Sequence, residues 1–324
     1  MLVGITYDLQ ADYIAEGFTA EEAAEFDKIE TIDGIDKALQ ENGYQTERIG
    51  NVKSLIAKLS VGKRWDIVFN ICEGVSGIGR EAQVPALLDI YNIPYTFSDV
   101  MVLSLTLHKG ITKRVIRDLG IPTPNFVVVE NIEDLKHVNL PYPLFAKPVA
   151  EGTGKGIDPS SKIKNFDELT EACSDRLKRY KQPVLIETYL SGREFTVGIV
   201  GTGNDAYPIG IMEVNYRKNE QTSIYSYENK ANYEQFIDYS VPEKEVTDQC
   251  YGVALKAWKG LMCRDGGRVD IRMDANGIPN FIEVNPLAGL NPIHSDLPIL
   301  SRLAGISYQE LIKIIMDSAT KRLI

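Results

Sequence analysis

The stretch Gly267-Arg-Val-Asp-Ile-Arg-Met-Asp274, followed by Asn280-Phe-Ile-Glu-Val-Asn-Pro286, decides the fold. Between the two runs, Ala275-Asn-Gly277 carries turn chemistry, so the pair reads as a β-hairpin. Alternation places Val269, Ile271 and Met273 on one face of the first strand and Arg268, Asp270 and Arg272 on the other. In the second strand Phe281, Glu283 and Asn285 share a face, with Ile282 and Val284 opposite. If the polar faces coincide, Asp270, Glu283 and Asn285 converge beside Arg268. Two carboxylates and an amide oxygen form a hard, oxygen-only site of the kind that holds Mg²⁺ together with substrate phosphates. An arginine beside it suits a phosphoryl group in transit. The alternative is a surface hairpin with solvated charges, and the hairpin alone does not choose between them.

A chain of 324 residues can hold two or three domains with their own cores. A net charge of −10 argues against a general nucleic-acid or membrane-surface binder, while leaving room for a local basic pocket. Cys72, Cys173, Cys250 and Cys263 form no CxxC pair, and His108, His137 and His294 are scattered, which excludes a zinc ribbon or finger. Free thiols predict a reducing, cytoplasmic setting. The opening Met-Leu-Val-Gly-Ile-Thr-Tyr7 reads as a core strand rather than a leader, and no apolar run has the length of a membrane span.

Along the chain, apolar runs at residues 2–7, 45–49 and 66–71 predict strands that alternate with helices, a parallel α/β layer. Thr19-Ala-Glu-Glu22 is a capping box, and Phe26, Ile29, Ile32, Ile35 and Leu39 recur behind it at helical spacing, predicting one helix ending at Asn42-Gly43. Glu73-Gly-Val-Ser-Gly-Ile-Gly79 reads either as a ligand-cradling turn or as a plain tight turn, with Arg80 and Glu81 opening the next helix. Residues 100–119, with Lys109 and Lys113, read as a single helix. Leu144-Phe-Ala-Lys-Pro148 leads into Val-Ala-Glu-Gly-Thr-Gly-Lys-Gly156. A strand-end lysine with a glycine loop can grip phosphate through a point charge and backbone N–H groups, or it can be a flexible surface hairpin. It is neither a Walker loop nor a dinucleotide fingerprint. The polar segment 215–237 is long enough to suggest a functional connection.

The order of these parts is distinctive: Lys109, Lys147, a glycine loop, Glu187-Thr-Tyr-Leu-Ser-Gly-Arg-Glu194, Arg268-Val-Asp270, Glu283-Val-Asn285 and Gly289. It resembles the ATP-grasp ligases, and within them the D-alanine–D-alanine ligase group, over nearly the whole chain from Phe69 onward. The resemblance implies an α/β ATP-grasp fold of three domains. An N-terminal parallel α/β substrate domain would span residues 1–105, a central subdomain with the phosphate loop 106–187, and a C-terminal subdomain with metal site and lid 188–324. It implies ATP and two Mg²⁺ ions, with Mn²⁺ as a substitute. Lys109 and Lys147 would hold the α- and β-phosphates, and the loop with Gly152, Thr153 and Gly154 would close over them. Glu187, Tyr189 and Leu190 would meet the adenine, Glu194 the ribose, and Phe281 would line the adenine pocket. Lys230 would reach the γ-phosphate. Asp270, Glu283 and Asn285 would hold the metal, while Arg268 and the Gly289 N–H would stabilise the acyl phosphate and the oxyanion.

The departures fall in the substrate half. The glutamate-bearing turn after the first strand is replaced by Asp8-Leu-Gln-Ala-Asp-Tyr13, the His-Gly turn by Glu73-Gly74, and the Ser-Ser pair by Thr153-Gly154. The turn that follows Pro286 is one residue longer, making His294 and Ser295 candidates for the acceptor carboxylate. Glu73, Arg80 and Glu81, with Asp8 and Asp12, are the first-substrate candidates. The expectation is a carboxylate–amine ligase that forms an amide through an acyl phosphate, acting on D-alanine or on other amino-acid-like substrates in specialised metabolism. A non-catalytic ATP-binding module would not need Arg268, Asp270, Glu283, Asn285 and Gly289 together. The partners expected are small molecules, with neither nucleic acid nor membrane. The resemblance suggests a homodimer.

Overall fold

The structure is a computed structural model that describes residues 1–216 and 237–323. Lys230 lies outside the described residues. The chain begins with β1 (Leu2–Thr6), α1 (Gln10–Ala15), α2 (Ile29–Glu41), β2 (Gln45–Gly50), α3 (Val52–Ser60), β3 (Ile67–Asn70) and α4 (Gln83–Ile90). The strands make a parallel sheet in the order β2-β1-β3. Helices cover both faces, so β1 and β3 are apolar on both. Val3, Ile5 and Phe69 meet Ile32, Ile35 and Leu39 of α2 on one side. On the other, Val68 and Cys72 meet Leu55, Leu59 and Leu88.

The predicted first helix is shorter than expected. Thr19 and Glu22 do exchange capping hydrogen bonds, Glu22 N to Thr19 Oγ1 at 3.2 Å and Thr19 N to Glu22 Oε2 at 2.8 Å. The backbone nevertheless unwinds, and α2 begins only at Ile29. Phe26 leaves the helical face to pack on Tyr13, ring centroids 4.3 Å apart, and Asp27 N donates to Asp8 O at 3.0 Å. These long-range contacts take the amide that a continuous helix would need.

The helix predicted over 100–119 is two, α5 (Val100–Leu107) and α6 (Lys109–Asp118), broken at His108. The His108 ring caps the second by accepting from Ile111 N at 3.2 Å, and Lys109 N turns away to Val149 O at 3.1 Å. There follow β4 (Phe126–Val129), β5 (Leu144–Pro148), β6 (Lys162–Ile163), α7 (Phe166–Tyr180) and β7 (Val184–Thr188). They build an antiparallel sheet of order β4-β7-β5-β6 with α7 on one face.

The third layer comprises β8 (Glu194–Val200), β9 (Tyr207–Tyr216), β10 (Ile237–Ser240), α8 (Lys244–Gly260), β11 (Gly266–Met273) and β12 (Pro279–Asn285). Its antiparallel order is β10-β9-β8-β11-β12, and Ala254, Ala257 and Trp258 of α8 pack on Val269, Ile271 and Phe281. Two closing helices, α9 (Asp296–Leu303) and α10 (Tyr308–Thr320), complete the chain. Read in the sequence with the C-terminal segment, α10 instead returns to the first sheet: Leu311, Ile312, Ile315 and Met316 share a core with Val3, Ile5 and Ile32. The four cysteines are free and buried, and among the described residues no helix is long and apolar enough to cross a membrane.

Asp265, fully buried, ties this return in place. It accepts from Phe97 N at 2.7 Å, Ser318 Oγ at 2.8 Å and Thr202 Oγ1 at 3.2 Å, and it pairs with Arg322, whose Nη2 also donates to Tyr95 O at 3.0 Å. Removing one partner of a buried ion pair leaves the other charge uncompensated. Arg322→Ala is therefore expected to cost about 3 kcal/mol, read as a lower urea midpoint by circular dichroism. An unchanged midpoint would mean the neutral donors alone hold Asp265.

Candidate active site

The hairpin pairs as its alternation demands, with Asp270 opposite Glu283 and Arg268 opposite Asn285. The register then slips by one residue, so Ile271 faces Phe281. A bulge of this kind inserts one extra residue and reverses the side-chain alternation beyond it. Phe281 consequently points into the α8 core, with no exposure, and Ile282 joins Glu283 in lining the cleft. Phe281, expected to line an adenine pocket, lies outside this cleft, and Ile282 lines it instead.

Arg268 pairs with Asp270 and reaches Asp296 at 3.4 Å. With its carboxamide oxygen turned toward the arginine, Asn285 accepts from Nη1 at 3.3 Å and Nη2 at 3.0 Å. Burial opposes the Arg268 charge, but Asp270, Asp296 and Glu283 outweigh it and raise its pKa. Thr196 Oγ1 orients Asp270 from 2.9 Å. Among the described residues no three His, Cys, Asp or Glu side chains close into a metal cage. Two carboxylates and an amide oxygen, open on one side, fit a small hard cation that takes its remaining ligands from phosphate and water.

Behind this corner runs a chain of buried charges. Lys113 on α6 lies 2.9 Å from Glu187 on β7, and Lys147 on β5 lies 3.6 Å from Glu187 and 3.4 Å from Glu283. Lys109 approaches Glu283 at 3.8 Å and donates to Glu151 O at 2.6 Å. Burial pushes the Lys109 and Lys113 pKa values down. For Lys147 burial is outweighed by Glu187 and Glu283, and its pKa rises. Burial likewise pushes Glu187 up, but Lys113 and Lys147 bring it below the usual value. Lys113 carries no expected role in the sequence. Its spacing of four from Lys109 on one helix face was the available signal.

A cleft of about 100 Å³ separates the four-stranded and five-stranded sheets, lined among others by Lys147, Gly154, Glu187, Tyr189, Leu190, Glu194 and Ile282. The Lys162 ammonium sits 4.2 Å from the Tyr189 ring centroid and the Arg272 guanidinium 5.3 Å. Glu194 Oε2 accepts from Tyr216 OH at 2.9 Å and from Arg272 Nη1 at 3.1 Å. In the glycine loop Thr153 and Gly154 take positive φ, 51° and 75°, and a Cβ at Gly156 would lie 2.5 Å from Pro148 Cγ. The Gly152 N–H donates to Glu25 Oε1 at 2.6 Å, a contact no local pattern announced.

A larger chamber of about 400 Å³ adjoins the same corner. It brings together Lys109, Gly152, Thr153, Arg268 and Gly289 with Glu73, Glu81, His294 and Ser295, and adds Glu25 and Asp27. Ser295 Oγ accepts from Asn291 N at 3.0 Å and would meet a Cβ on Gly289 at 2.9 Å. Arg80 is not part of the lining. Its guanidinium is consumed by Glu25 Oε2 and Ala150 O, 2.8 and 2.9 Å away, because Glu25 is itself enclosed and needs a cation. Asp8 is buried, accepting from Tyr13 OH at 2.5 Å and Gly74 N at 2.9 Å, and so shapes the turn; Asp12 is exposed on α1. Burial and the neighbouring Glu81 push the Glu73 carboxyl well up. Burial also lifts Glu81 to about 7, against the pull of Arg80, and Asp27 to about 7, against a hydrogen bond from Thr31.

Residues 115–317 match the family described as D-ala D-ala ligase C-terminus. The chain is also 30% identical over 294 residues to a D-alanine–D-alanine ligase of Bordetella petrii, covering 89% of this chain and 86% of that one. The chain belongs to the D-alanine–D-alanine ligase family. Its fold matches the ATP-complexed D-alanine–D-alanine ligase of Bacillus anthracis with a TM-score of 0.74 at 22% identity, covering 99% and 98% of the two chains. It matches the VanG D-Ala:D-Ser ligase of Enterococcus faecalis with a TM-score of 0.75 at 18% identity, covering 98% and 99%. The two antiparallel sheets are thus an ATP-grasp fold behind an N-terminal α/β layer.

For this member of the D-alanine–D-alanine ligase family, the bulge separates two adjacent residues by role. Phe281→Ala should destabilise the fold by about 3–5 kcal/mol. Ile282→Ala should leave the urea midpoint nearly unchanged and raise KM for ATP; a reversed pattern would place the bulge elsewhere. Glu81 gives a pH prediction. Its folded-state pKa of about 7 lies above the ordinary 4.5, so the folded state keeps a proton that the unfolded chain releases. Its contribution is full below 4.5 and is lost as pH rises through about 7. Glu81→Gln should match the parent in urea midpoint at pH 4.5 and exceed it at pH 8.

Proposed function

We propose that the protein joins the carboxyl group of one amino-acid-like substrate to the amine of another, at the expense of ATP and through an acyl phosphate. The observation that carries this reading is the meeting of three features at one corner: the lysine–glutamate chain, the oxygen set of Asp270, Glu283 and Asn285, and Arg268. The nucleotide cleft and the larger chamber both open onto that corner.

A carboxylate resists attack by an amine. Transfer of the γ-phosphoryl group from ATP to the carboxylate oxygen yields ADP and a mixed anhydride; attack of the amine nitrogen on its carbonyl carbon expels phosphate and leaves the amide. In this reading Lys109 and Lys147 neutralise the α- and β-phosphates, and the N–H groups of the Gly152–Gly154 loop cradle them. Glu187, Tyr189 and Leu190 meet the adenine, and Glu194 the ribose. Arg268 and the Gly289 N–H face the charge that develops on the transferring phosphoryl group and the tetrahedral oxygen. Lys230, which lies outside the described residues, is assigned to the γ-phosphate. Asp270, Glu283 and Asn285 hold two Mg²⁺ ions, or Mn²⁺, whose charge offsets that of the phosphates. Residues 1–105 supply Asp27, Glu73 and Glu81 to the amino-acid side, 188–324 add Gly289, His294 and Ser295 to it, and 106–187 with 188–324 form the nucleotide clamp. We place the protein in the cytoplasm as a homodimer.

D-alanine is the substrate named for the relatives. The carboxylates Asp27, Glu73 and Glu81 around the chamber favour a second reading, ligation of a different amino acid. Phosphate release from ATP and Mg²⁺, with amino acids supplied singly and in pairs and products weighed by mass spectrometry, separates the two. Asp270→Asn and Arg268→Ala should each lower kcat on the order of 10²-fold while ATP still binds. A parent protein that neither binds ATP nor releases phosphate would overturn the ligase reading.

A further inference from the structure

The chamber beside the metal corner is lined by more carboxyl groups than a single α-ammonium can satisfy. Asp27, Glu73 and Glu81 line it. Among the described residues Glu73 and Glu81 make no hydrogen bond or salt bridge, and both are half-buried side chains in the lining of the cavity. The tight turn at Gly74, φ 72°, folds the segment back on itself, and a Cβ there would lie 2.5 Å from Arg80 O. Glu81 lies close enough to disfavour the Glu73 charge.

The cations nearby are already engaged. Arg80 is held by Glu25 and Ala150 O, Lys109 by Glu283 and Glu151 O, and Arg268 by Asp270 and Asp296. Lys28 lines the rim from an exposed position. Lys155 pairs with Glu151 at 2.8 Å. Nor do the acids converge on a metal, since no cluster of three suited to an ion exists among the described residues.

A carboxylate partly withdrawn from water without a donor is costly, and two side by side are more so. A ligand that brings the missing donors relieves that cost. The carboxyl group of the substrate goes to Arg268 and the metal corner, and its α-ammonium can satisfy one acid. The remaining pair calls for a second cationic group. Resting on the ligase reading, we propose that the carboxyl-donating substrate is an amino acid with a basic side chain, an ammonium or guanidinium. Glu73 and Glu81 are its specificity-determining residues, and Asp27 receives the α-ammonium.

The test is calorimetric titration of the full chain, preloaded with Mg²⁺ and a non-hydrolysable ATP analogue. The ligands are ornithine, lysine and arginine in both chiralities, set against alanine and the neutral isostere norvaline. Basic amino acids are expected to bind about tenfold tighter than norvaline or better. Glu73→Gln and Glu81→Gln should each remove most of that preference while leaving affinity for the ATP analogue unchanged. Equal or tighter binding of norvaline, an undiminished preference in both variants, or no amino-acid binding by the analogue-loaded chain would overturn the proposal. The ligase reading fails separately, through absence of analogue binding, and that result removes the proposal with it.

Discussion

Five charges in alternating order, Lys113, Glu187, Lys147, Glu283 and Lys109, run across the cleft and set the terms for the rest of the molecule. A buried charge persists only when paired, so each member fixes the element that carries its neighbour. Lys113 fastens α6 to β7, Lys147 joins β5 to β12, and Lys109 brings the start of α6 to the same edge. The chain has three cations and two anions. The excess positive charge sits where a polyphosphate would lie, and burial weakens the hold of Lys109 on its own proton until such a partner arrives.

The bulge in β12 serves the same chain. Strict alternation would have left Phe281 in the cleft beside Glu283. With the extra residue, Phe281 seals the α8 core, and its backbone becomes a docking point: its N–H donates to Pro122 O at 2.8 Å, and its carbonyl accepts from Thr123 Oγ1 at 2.9 Å and Lys113 Nζ at 3.4 Å. The register slip thus anchors Lys113, which in turn holds Glu187. A local irregularity in one strand and a buried ion pair 94 residues earlier in the chain are the same structural decision (Phe281 against Glu187).

This division explains what could be read from the sequence. The hairpin, the lysine strand and the glycine loop were legible because their chemistry is local, a period of two or a run of glycines. The parallel layer was legible from alternating apolar runs and helical spacing. What failed was decided by distant contacts. The capping box at Thr19 formed, yet Tyr13 and Asp8 captured Phe26 and Asp27 and delayed the helix to Ile29. His108 broke a helix whose periodicity ran straight through it. Glu25 and Asp27 entered the site from a stretch that read as helix face, and Arg80, read as a ligand contact, was taken up by Glu25. Most residues expected around the cleft between the antiparallel sheets do line it, Phe281 excepted. The amino-acid chamber draws on positions as far apart as 25, 73, 151 and 294, and no spacing rule joins them.

Glu25 also links the two halves mechanically. One carboxylate oxygen accepts from the Gly152 N–H and the other from Arg80, while Arg80 donates to Ala150 O on the same loop. The three groups lock the turn after β3 to the approach of the glycine loop. Glu25 keeps its charge there because Arg80, Lys155 and the Gly152 amide together outweigh its burial. Backbone N–H groups in such a loop suit phosphate, and a carboxylate is the nearest protein substitute for that anion. The wall of the chamber and the loop proposed to hold phosphate are therefore tied directly to each other. Phosphoryl transfer depends on the position of donor and acceptor more than on any covalent help from the protein. A contact that fixes the chamber against the loop governs that position, although it belongs to neither substrate.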